Sequence, residues 1–250
     1  MNGPGGTTKS AHSPPALSIV LAYYENPEML AFQWNEIAGY PEKVKSEIEV
    51  VVVDDGSPVH PAAQVTRPAG LPPVSIFRIR EDVPWNQDAA RNIGAHEARS
   101  RLLLVTDIDH VVPRATVEGI LDYEAEEGVF YGLGRVKYFG GQPSEPHPNS
   151  YLLTKKTYWN IGGHDEDFAG IYGKDFLFRK RAFAKAREEN LPHLVLARVG
   201  STAVADAGTR TIGRDNTLSK RVWGYVLEWL KKLRLWRGVQ TLTHSYDRVV

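Results

Sequence analysis

Apolar residues along the chain fall into two alternating kinds of segment. "LSIVLAYY" (17–24), "EIEVVVVDDGSP" (47–58), "VSIFRI" (74–79) and "RLLLVT" (101–106) are short runs rich in aliphatic and β-branched residues. Near-continuous runs of this kind predict strands covered on both faces, as in a parallel sheet. Between them, "NPEMLAFQWNEIAGY" and "NQDAARNIGAHEARS" (86–100) repeat their apolar positions at helical intervals. In the second of these, Ala90, Ile93, Gly94 and Glu97 lie on neighbouring turns. The order strand, helix, strand, strand, helix, strand predicts an α/β domain, a mostly parallel sheet flanked by helices. Ligands of such sheets collect at the carboxyl ends of the strands.

Beyond Pro113 the pattern weakens. "ATVEGILDYEAE" reads as a helix, "GVFYGLGRVKYF" as a strand, and "GGQPSEPHPNS" (140–150) as a loop, because its prolines interrupt hydrogen-bonded structure. A segment through about residue 218 has no clear period. From Ser219 to about Trp236 an amphipathic helix is expected, with Trp223, Val226, Leu227, Leu230 and Leu233 on a broad apolar arc and Lys220, Arg221, Lys231, Lys232 and Arg237 toward the polar side. That pattern suits three uses: resting on an anionic membrane surface, packing on the domain, or joining subunits into a homo-oligomer. The chain thus divides into a flexible, Gly-, Ser- and Pro-rich tail (1–15), one catalytic-sized domain (16–218) and a C-terminal helix with its tail (219–250).

Composition narrows the chemistry. Lys+Arg and Asp+Glu both number 30 in 250 residues, so net charge gives no case for a nucleic-acid partner. The chain has no cysteine, which excludes disulfide scaffolds, thiolate zinc sites and cysteine nucleophiles and is compatible with a cytoplasmic location. No apolar stretch approaches the ~20 residues of a spanning helix, so any membrane contact is expected to be peripheral.

Carboxylates follow the apolar segments at three places: Asp54/Asp55, Asp107/Asp109 in "LLLVTDIDHVVP", and Asp165/Glu166/Asp167 with Asp175 in the glycine-rich stretch 160–183. A common strand direction brings the first two to one edge of the sheet. Alternate strand residues share a face, so Asp107 and Asp109 can both meet a ligand while Ile108 turns inward. Oxygen donors of this kind suit Mg²⁺ or Mn²⁺ completed by substrate phosphate oxygens. The same residues also suit a capped polar turn. Asp54/Asp55 can accept hydrogen bonds from a base or ribose, or simply close a loop. Asp175, at an expected helix start, can take a proton from an acceptor hydroxyl or cap the helix.

Taken together, "SIVLAYYENPEML", "VVVDDGSP", "PWNQDAARNIGAHEA", "LLLVTDIDHVVP" and "GGHDEDFAGIYGKDFLFRKR" resemble an inverting glycosyltransferase of the GT-A fold, family 2-like, with a galactosyltransferase-like C-terminal motif, over residues 16–183. The resemblance implies that Ala22, Tyr23 and Glu25 line the donor nucleotide, that Asp55 rather than Asp54 recognises the base, and that Arg91 reaches phosphate. It implies Asp107 near ribose or metal and Asp109 at the metal, with His110 a further ligand or a neighbour that orients one. It places the general base at Asp175, with Asp167 in reserve; Lys174 stands where many relatives carry a first acid. His193 and His244 sit in no motif and receive no role. The implied reaction moves a sugar from a nucleoside-diphosphate sugar, UDP-linked, to a hydroxyl of a glycan or lipid-linked glycan, as in polysaccharide biosynthesis. A nucleotide-sugar pyrophosphorylase is the enzymatic rival, although "AYYENPEML" lacks the basic Gly-rich loop such enzymes carry. An inactive sugar-binding or scaffold protein is the non-enzymatic one.

Overall fold

The computed structural model describes residues 13–138, 140, 144–200 and 217–250, so most of the expected N-terminal tail lies outside the described residues. In chain order the elements are β1 (Leu17–Tyr23), α1 (Pro27–Ala38), α2 (Glu42–Lys45), β2 (Ile48–Asp54), β3 (Val74–Ile79), α3 (Gln87–Glu97), β4 (Leu102–Asp107), β5 (His110–Val111), α4 (Arg114–Leu121) and β6 (Val129–Lys137). They continue with β7 (Tyr151–Thr154), α5 (Lys155–Ile161), α6 (Phe176–Lys185), β8 (Arg187–Arg198), α7 (Leu218–Lys232) and β9 (Tyr246–Arg248). The described strands form one sheet in the order β5-β8-β6-β7-β4-β1-β2-β3-β9.

The strands alternate between two apolar layers, which explains the continuous runs in the sequence. Ile19, Leu21, Val50, Val52 and Leu104 join Met29, Leu30 and Trp34 of α1 in one core. Val20, Val51, Val53, Leu103 and Val105 join Ala90 and Ile93 of α3 in the other. With helices on both faces both sides of these strands are buried, and the polar residues inside them, Ser18, Glu49 and Thr106, are hydrogen-bonded. Asn26 starts α1 by accepting a hydrogen bond from the Met29 amide, and Pro27 follows at the first helical position.

Close approach of α3 to the sheet depends on Gly94. A Cβ there would lie 2.3 Å from Val20 Cγ1, inside a packed core. Gly94→Ala is therefore expected to destabilise the fold by about 1–3 kcal/mol, the usual cost of overpacking. Chemical denaturation would show a lower midpoint with an unchanged slope.

The sheet is mixed, which corrects the expectation of a mostly parallel one. β3, β2, β1 and β4 are parallel, as is the β6–β8 pair. β4–β7, β6–β7, β5–β8 and β3–β9 are antiparallel. The antiparallel strands include those without a periodic signature: β7 has four residues, β5 two and β9 three. β8, "REENLPHLVLAR", mixes charges and a proline into its run and breaks register near Leu133/Gly134 of its partner.

Parallel register aligns the ends that matter. Tyr23 pairs with Asp54, and Ala22 pairs with both Val53 and Asp107. The β1, β2 and β4 carboxyl ends therefore stand side by side. β9 pairs with the β3 edge, so the segment after α7 returns to the sheet.

Candidate active site

The two aspartates after β2 do different work. Asp54 Oδ1 accepts from the Ser57 amide and Oδ2 from the Ala62 amide, both at 2.8 Å, so both oxygens close the following loop. Asp55 Oδ2 accepts from the Asn86 amide at 3.0 Å, while its Oδ1 is buried without a hydrogen-bond partner. Burial, with added repulsion from Asp54, Asp82 and Asp88, pushes the Asp55 carboxyl well above its ordinary range despite the opposing Asn86 bond. Beside it the Asn86 side chain is fully buried with neither Oδ1 nor Nδ2 paired. Buried polar atoms without partners each cost about 1–3 kcal/mol, so this pair presents unmet donor and acceptor capacity at the end of the sheet. Asn86 was not singled out in the sequence; its position directly before α3 was the available signal.

Two residues expected to line the donor turn elsewhere. The Tyr23 ring belongs to the α1-side core and its hydroxyl donates to the His60 carbonyl at 2.5 Å. The Glu25 carboxylate accepts from the Val59 amide at 2.8 Å and the His60 amide at 3.1 Å, so it braces the loop after β2. Both side chains are thus engaged in bracing the β2 loop, whereas Ala22 stays at the strand end opposite Asp107.

The end of β4 gathers the remaining machinery. Arg91, buried on α3, donates through Nη2 to Asp107 Oδ1 at 2.6 Å and to Gln87 Oε1 at 3.1 Å; its Nε and Nη1 have no hydrogen-bond partner, and Nη1 lies 3.9 Å from Asp88 Oδ1. Burial works against the Arg91 charge, but Asp107, Tyr151, Asp175 and Asp88 outweigh it and hold the guanidinium protonated above its ordinary range. Asn149 then links two strand-distant acids: its Nδ2 donates to Asp175 Oδ2 at 2.5 Å and, more weakly, to Asp107 Oδ2 at 3.4 Å. Asp175 itself caps α6, its Oδ1 accepting from the Phe176 amide at 3.2 Å. One amide thus ties the β4 end to the start of α6.

Asp109 and His110 lie next to this group. His110 is fully buried, its Nδ1 is 2.7 Å from Asp109 Oδ1, and its ring centroid is 4.2 Å from that of His147. Burial would raise the Asp109 pKa, but the His110 hydrogen bond together with the nearby Arg198 guanidinium lowers it below the ordinary value. His110 thus orients Asp109 through Nδ1, while its Nε2 is buried without a hydrogen-bond partner. His147 lies between the acids, Nδ1 3.7 Å from Asp107 Oδ2; burial lowers its pKa to about 4 against the pull of Asp107, keeping the imidazole neutral. His147 and Asn149 both sit in the proline-rich loop that carried no periodic signal.

The acids at 165–167 bind the C-terminal segment. Asp165 Oδ2 pairs with Lys231 at 2.8 Å, and Glu166 accepts from the Leu242 and Thr243 amides at 2.7 Å and from Asn92 Nδ2 at 2.7 Å. Asp167 pairs with Lys231 at 2.7 Å, with Arg237, and with the Trp236 indole N–H. Burial raises the Asp167 pKa, but hydrogen bonds from Arg237 and Lys231 bring it below the ordinary range. A carboxylate so engaged is a poor proton acceptor, which favours Asp175 over Asp167 as the base. His193 is exposed on β8, and His244 lies 3.9 Å from Glu81; neither contacts this cluster.

Among the described residues, no group of three or more His, Cys, Asp or Glu side chains is placed to hold a metal ion. Asp107 Oδ1 is committed to Arg91, leaving Oδ2 with only its longer contacts to Asn149 and His147. Asp109 has Oδ1 on His110 and Oδ2 3.6 Å from Arg198. Such a donor set fits a hard divalent cation only when phosphate oxygens complete it, as Mg²⁺ sites with one or two carboxylates require.

Comparison with known proteins identifies the family and the fold. The family described as Glycosyl transferase family 2 matches residues 18–186. No curated protein matches the chain significantly. Among solved structures, S. aureus TarS 1-349 in complex with UDP-GlcNAc is 17% identical with a TM-score of 0.59, over 74% of this chain and 58% of that one. The mannosyltransferase PcManGT from Pyrobaculum calidifontis, in complex with GDP-Man and Mn²⁺, is 16% identical with a TM-score of 0.53, over 90% and 66%. GalNAc-T7 with UDP, GalNAc and Mn²⁺ is 14% identical with a TM-score of 0.53, over 75% and 44%. At these identities the likeness shows the fold, and the chain spans 60% of the TarS 1-349 structure.

Proposed function

The chain belongs to glycosyl transferase family 2, and from that premise we propose that it is an inverting, metal-dependent transferase moving a sugar from a UDP-sugar to the hydroxyl of a glycan or lipid-linked glycan. The observation that carries this reading is the Asn149 bridge, which holds Asp175 against the Asp107 end of β4. Donor-side and acceptor-side acids then meet where a single displacement needs them.

Each residue acts by its chemistry. Asp55 Oδ1 and the Asn86 carboxamide, both buried and unpartnered, receive the base: an acceptor for a ring N–H and a donor for a carbonyl. Arg91, charged and with Nε and Nη1 unpaired, orients Asp107 and faces the negative charge of the diphosphate. Asp109 and Asp107 Oδ2 would hold Mn²⁺ or Mg²⁺ together with diphosphate oxygens; when bound, the cation supplies charge neutralisation for the leaving nucleotide. Asp175 takes the proton from the acceptor hydroxyl as that oxygen attacks the anomeric carbon. One displacement inverts the configuration there. The domain boundaries 16–218 and 219–250 are part of the same proposal, with the catalytic residues all in the first unit.

A donor screen tests it. Nucleotide release from UDP-, GDP- and dTDP-sugars, with and without Mn²⁺ or Mg²⁺, is expected to show metal-dependent turnover that prefers UDP. Asp55→Ala should raise KM for the donor about 10-fold or more, the cost of a lost buried base contact. Asp109→Ala should abolish the metal response. Metal-independent turnover that survives both substitutions would sink the reading. Pyrophosphate-dependent formation of a nucleotide-sugar would replace it with the pyrophosphorylase.

A further inference from the structure

We propose that α7 and the turn after it form a face that lies on an anionic membrane surface, so that the acceptor hydroxyl is presented by a lipid. The second clause rests on the transferase reading; the first stands without it.

α7 contacts the domain through a narrow strip. Its buried residues are Gly224 and Leu227, and a Cβ at Gly224 would lie 2.8 Å from Ile171 Cγ2 and 3.0 Å from Lys174 Cε, so the helix lies flat on the loop that precedes Asp175. The rest of its apolar arc faces outward. Tyr225 is 65% exposed, Trp229 58% and, just past the helix, Leu235 64%. Trp223 and Val226 are exposed beside them, and Trp223 meets Trp236 edge-on at 6.1 Å. Clustered Trp and Tyr with aliphatic neighbours suit the headgroup boundary of a bilayer, where one end of the ring is apolar and the other wet.

Charge selects the occupant. Residues 217–237 contain six cations, Lys220, Arg221, Lys231, Lys232, Arg234 and Arg237, against one anion, Glu228, in a chain whose net charge is zero; Lys231 and Arg237 are turned to Asp165 and Asp167 of the domain, so the outward charge comes from the others. Glu228 is neutralised by Lys174 at 3.1 Å and Lys180 at 3.7 Å. Arg221, Lys232 and Arg234 are exposed around the aromatic patch. Two copies of so basic a face repel each other, whereas an anionic lipid surface complements it. Among the described residues no helix is long and apolar enough to cross a membrane, so the contact is in the plane of the surface.

The patch also reaches the chemistry. Lys174, the residue before Asp175, has Nζ 4.0 Å from the Tyr225 ring centroid and bonded to Glu228, and Phe176, the residue after Asp175, is exposed. A bilayer under α7 therefore places Asp175 next to lipid headgroups. A hydroxyl carried on a lipid reaches it without leaving the surface.

Sedimentation of the full chain with phosphatidylcholine vesicles, with and without phosphatidylglycerol, tests this. Binding is expected only to the anionic vesicles, with a blue shift of tryptophan emission and release at high salt. Trp229→Ser with Leu235→Ser should lower vesicle partitioning about 10-fold or more, with circular dichroism and donor hydrolysis in solution unchanged. Equal binding to neutral vesicles, binding indifferent to the double substitution, or a dimer in light scattering that the same substitution dissociates would each overturn the proposal. A chain that binds anionic vesicles yet turns over no nucleotide-sugar would keep the membrane face and defeat the transferase reading alone.

Discussion

Asp175→Asn is expected to lower transfer to an acceptor about 10²–10⁴-fold, the range for loss of a positioned general base, while donor affinity and fold are retained. The side chain is isosteric and keeps an oxygen for the Phe176 amide, so the α6 cap survives. The bond from Asn149 at 2.5 Å falls on the other oxygen, Oδ2, which becomes an NH₂ group, so the bridge is kept with the Asn149 amide turned to present its oxygen as the acceptor. What is lost is the capacity to take a proton. The discriminating measurement compares nucleotide release in the presence of acceptor with KM for the donor: a fall in kcat at constant donor KM assigns the transition-state role. Asp167→Asn provides the contrast. Its partners Lys231, Arg237 and Trp236 are structural, so thermal stability should drop while transfer stays within a few-fold of the parent. Reversal of these two outcomes would move the base to Asp167.

That contrast shows where sequence reasoning reached and where it stopped. The β1, β2, β3 and β4 runs were legible because helices cover both faces and force near-continuous apolar strands. β7, β8 and β9 were not, since two are very short and the third carries its charges into solvent; only pairing with distant strands makes them strands. Spacing found Asp107 and Asp109, and it found the acidic stretch before α6. It could not assign Asp165, Glu166 and Asp167, because their partners lie far along the chain, at Lys231, Arg237, Gln240, Leu242 and Thr243. Nor could it separate Asp54 from Asp55 by local chemistry. The difference is that both Asp54 oxygens meet backbone amides of the following loop, whereas one Asp55 oxygen meets none. His147 and Asn149 escaped for a related reason. A proline-rich loop has no period, and the importance of these two residues comes from where its far end returns to β4.

The buried pair of Arg91 and Asp107 is where fold and chemistry depend on the same contact, and a mutant cycle separates them. Asp107→Ala should cost about 3–5 kcal/mol of stability, the penalty for leaving a buried charge without its partner, as well as abolishing turnover. Arg91 is fully enclosed, its nearest other carboxylate contact is Asp88 at 3.9 Å from Nη1, and its Nε and Nη1 already lack hydrogen-bond partners. Loss of activity in Asp107→Ala alone therefore cannot distinguish a donor-binding role from a structural one. The double variant Arg91→Met with Asp107→Leu removes both charges and fills the space, and should recover most of the lost stability, as apolar replacements of buried ion pairs do. On the proposed mechanism donor turnover should remain absent in that folded protein, since neither the guanidinium proposed to meet the diphosphate nor the Oδ2 oxygen is restored. Denaturation midpoints read the first quantity and nucleotide release the second. Turnover returning along with stability would show the pair to be scaffolding, and would leave Asp109 as the sole β4-end acid in the proposed chemistry.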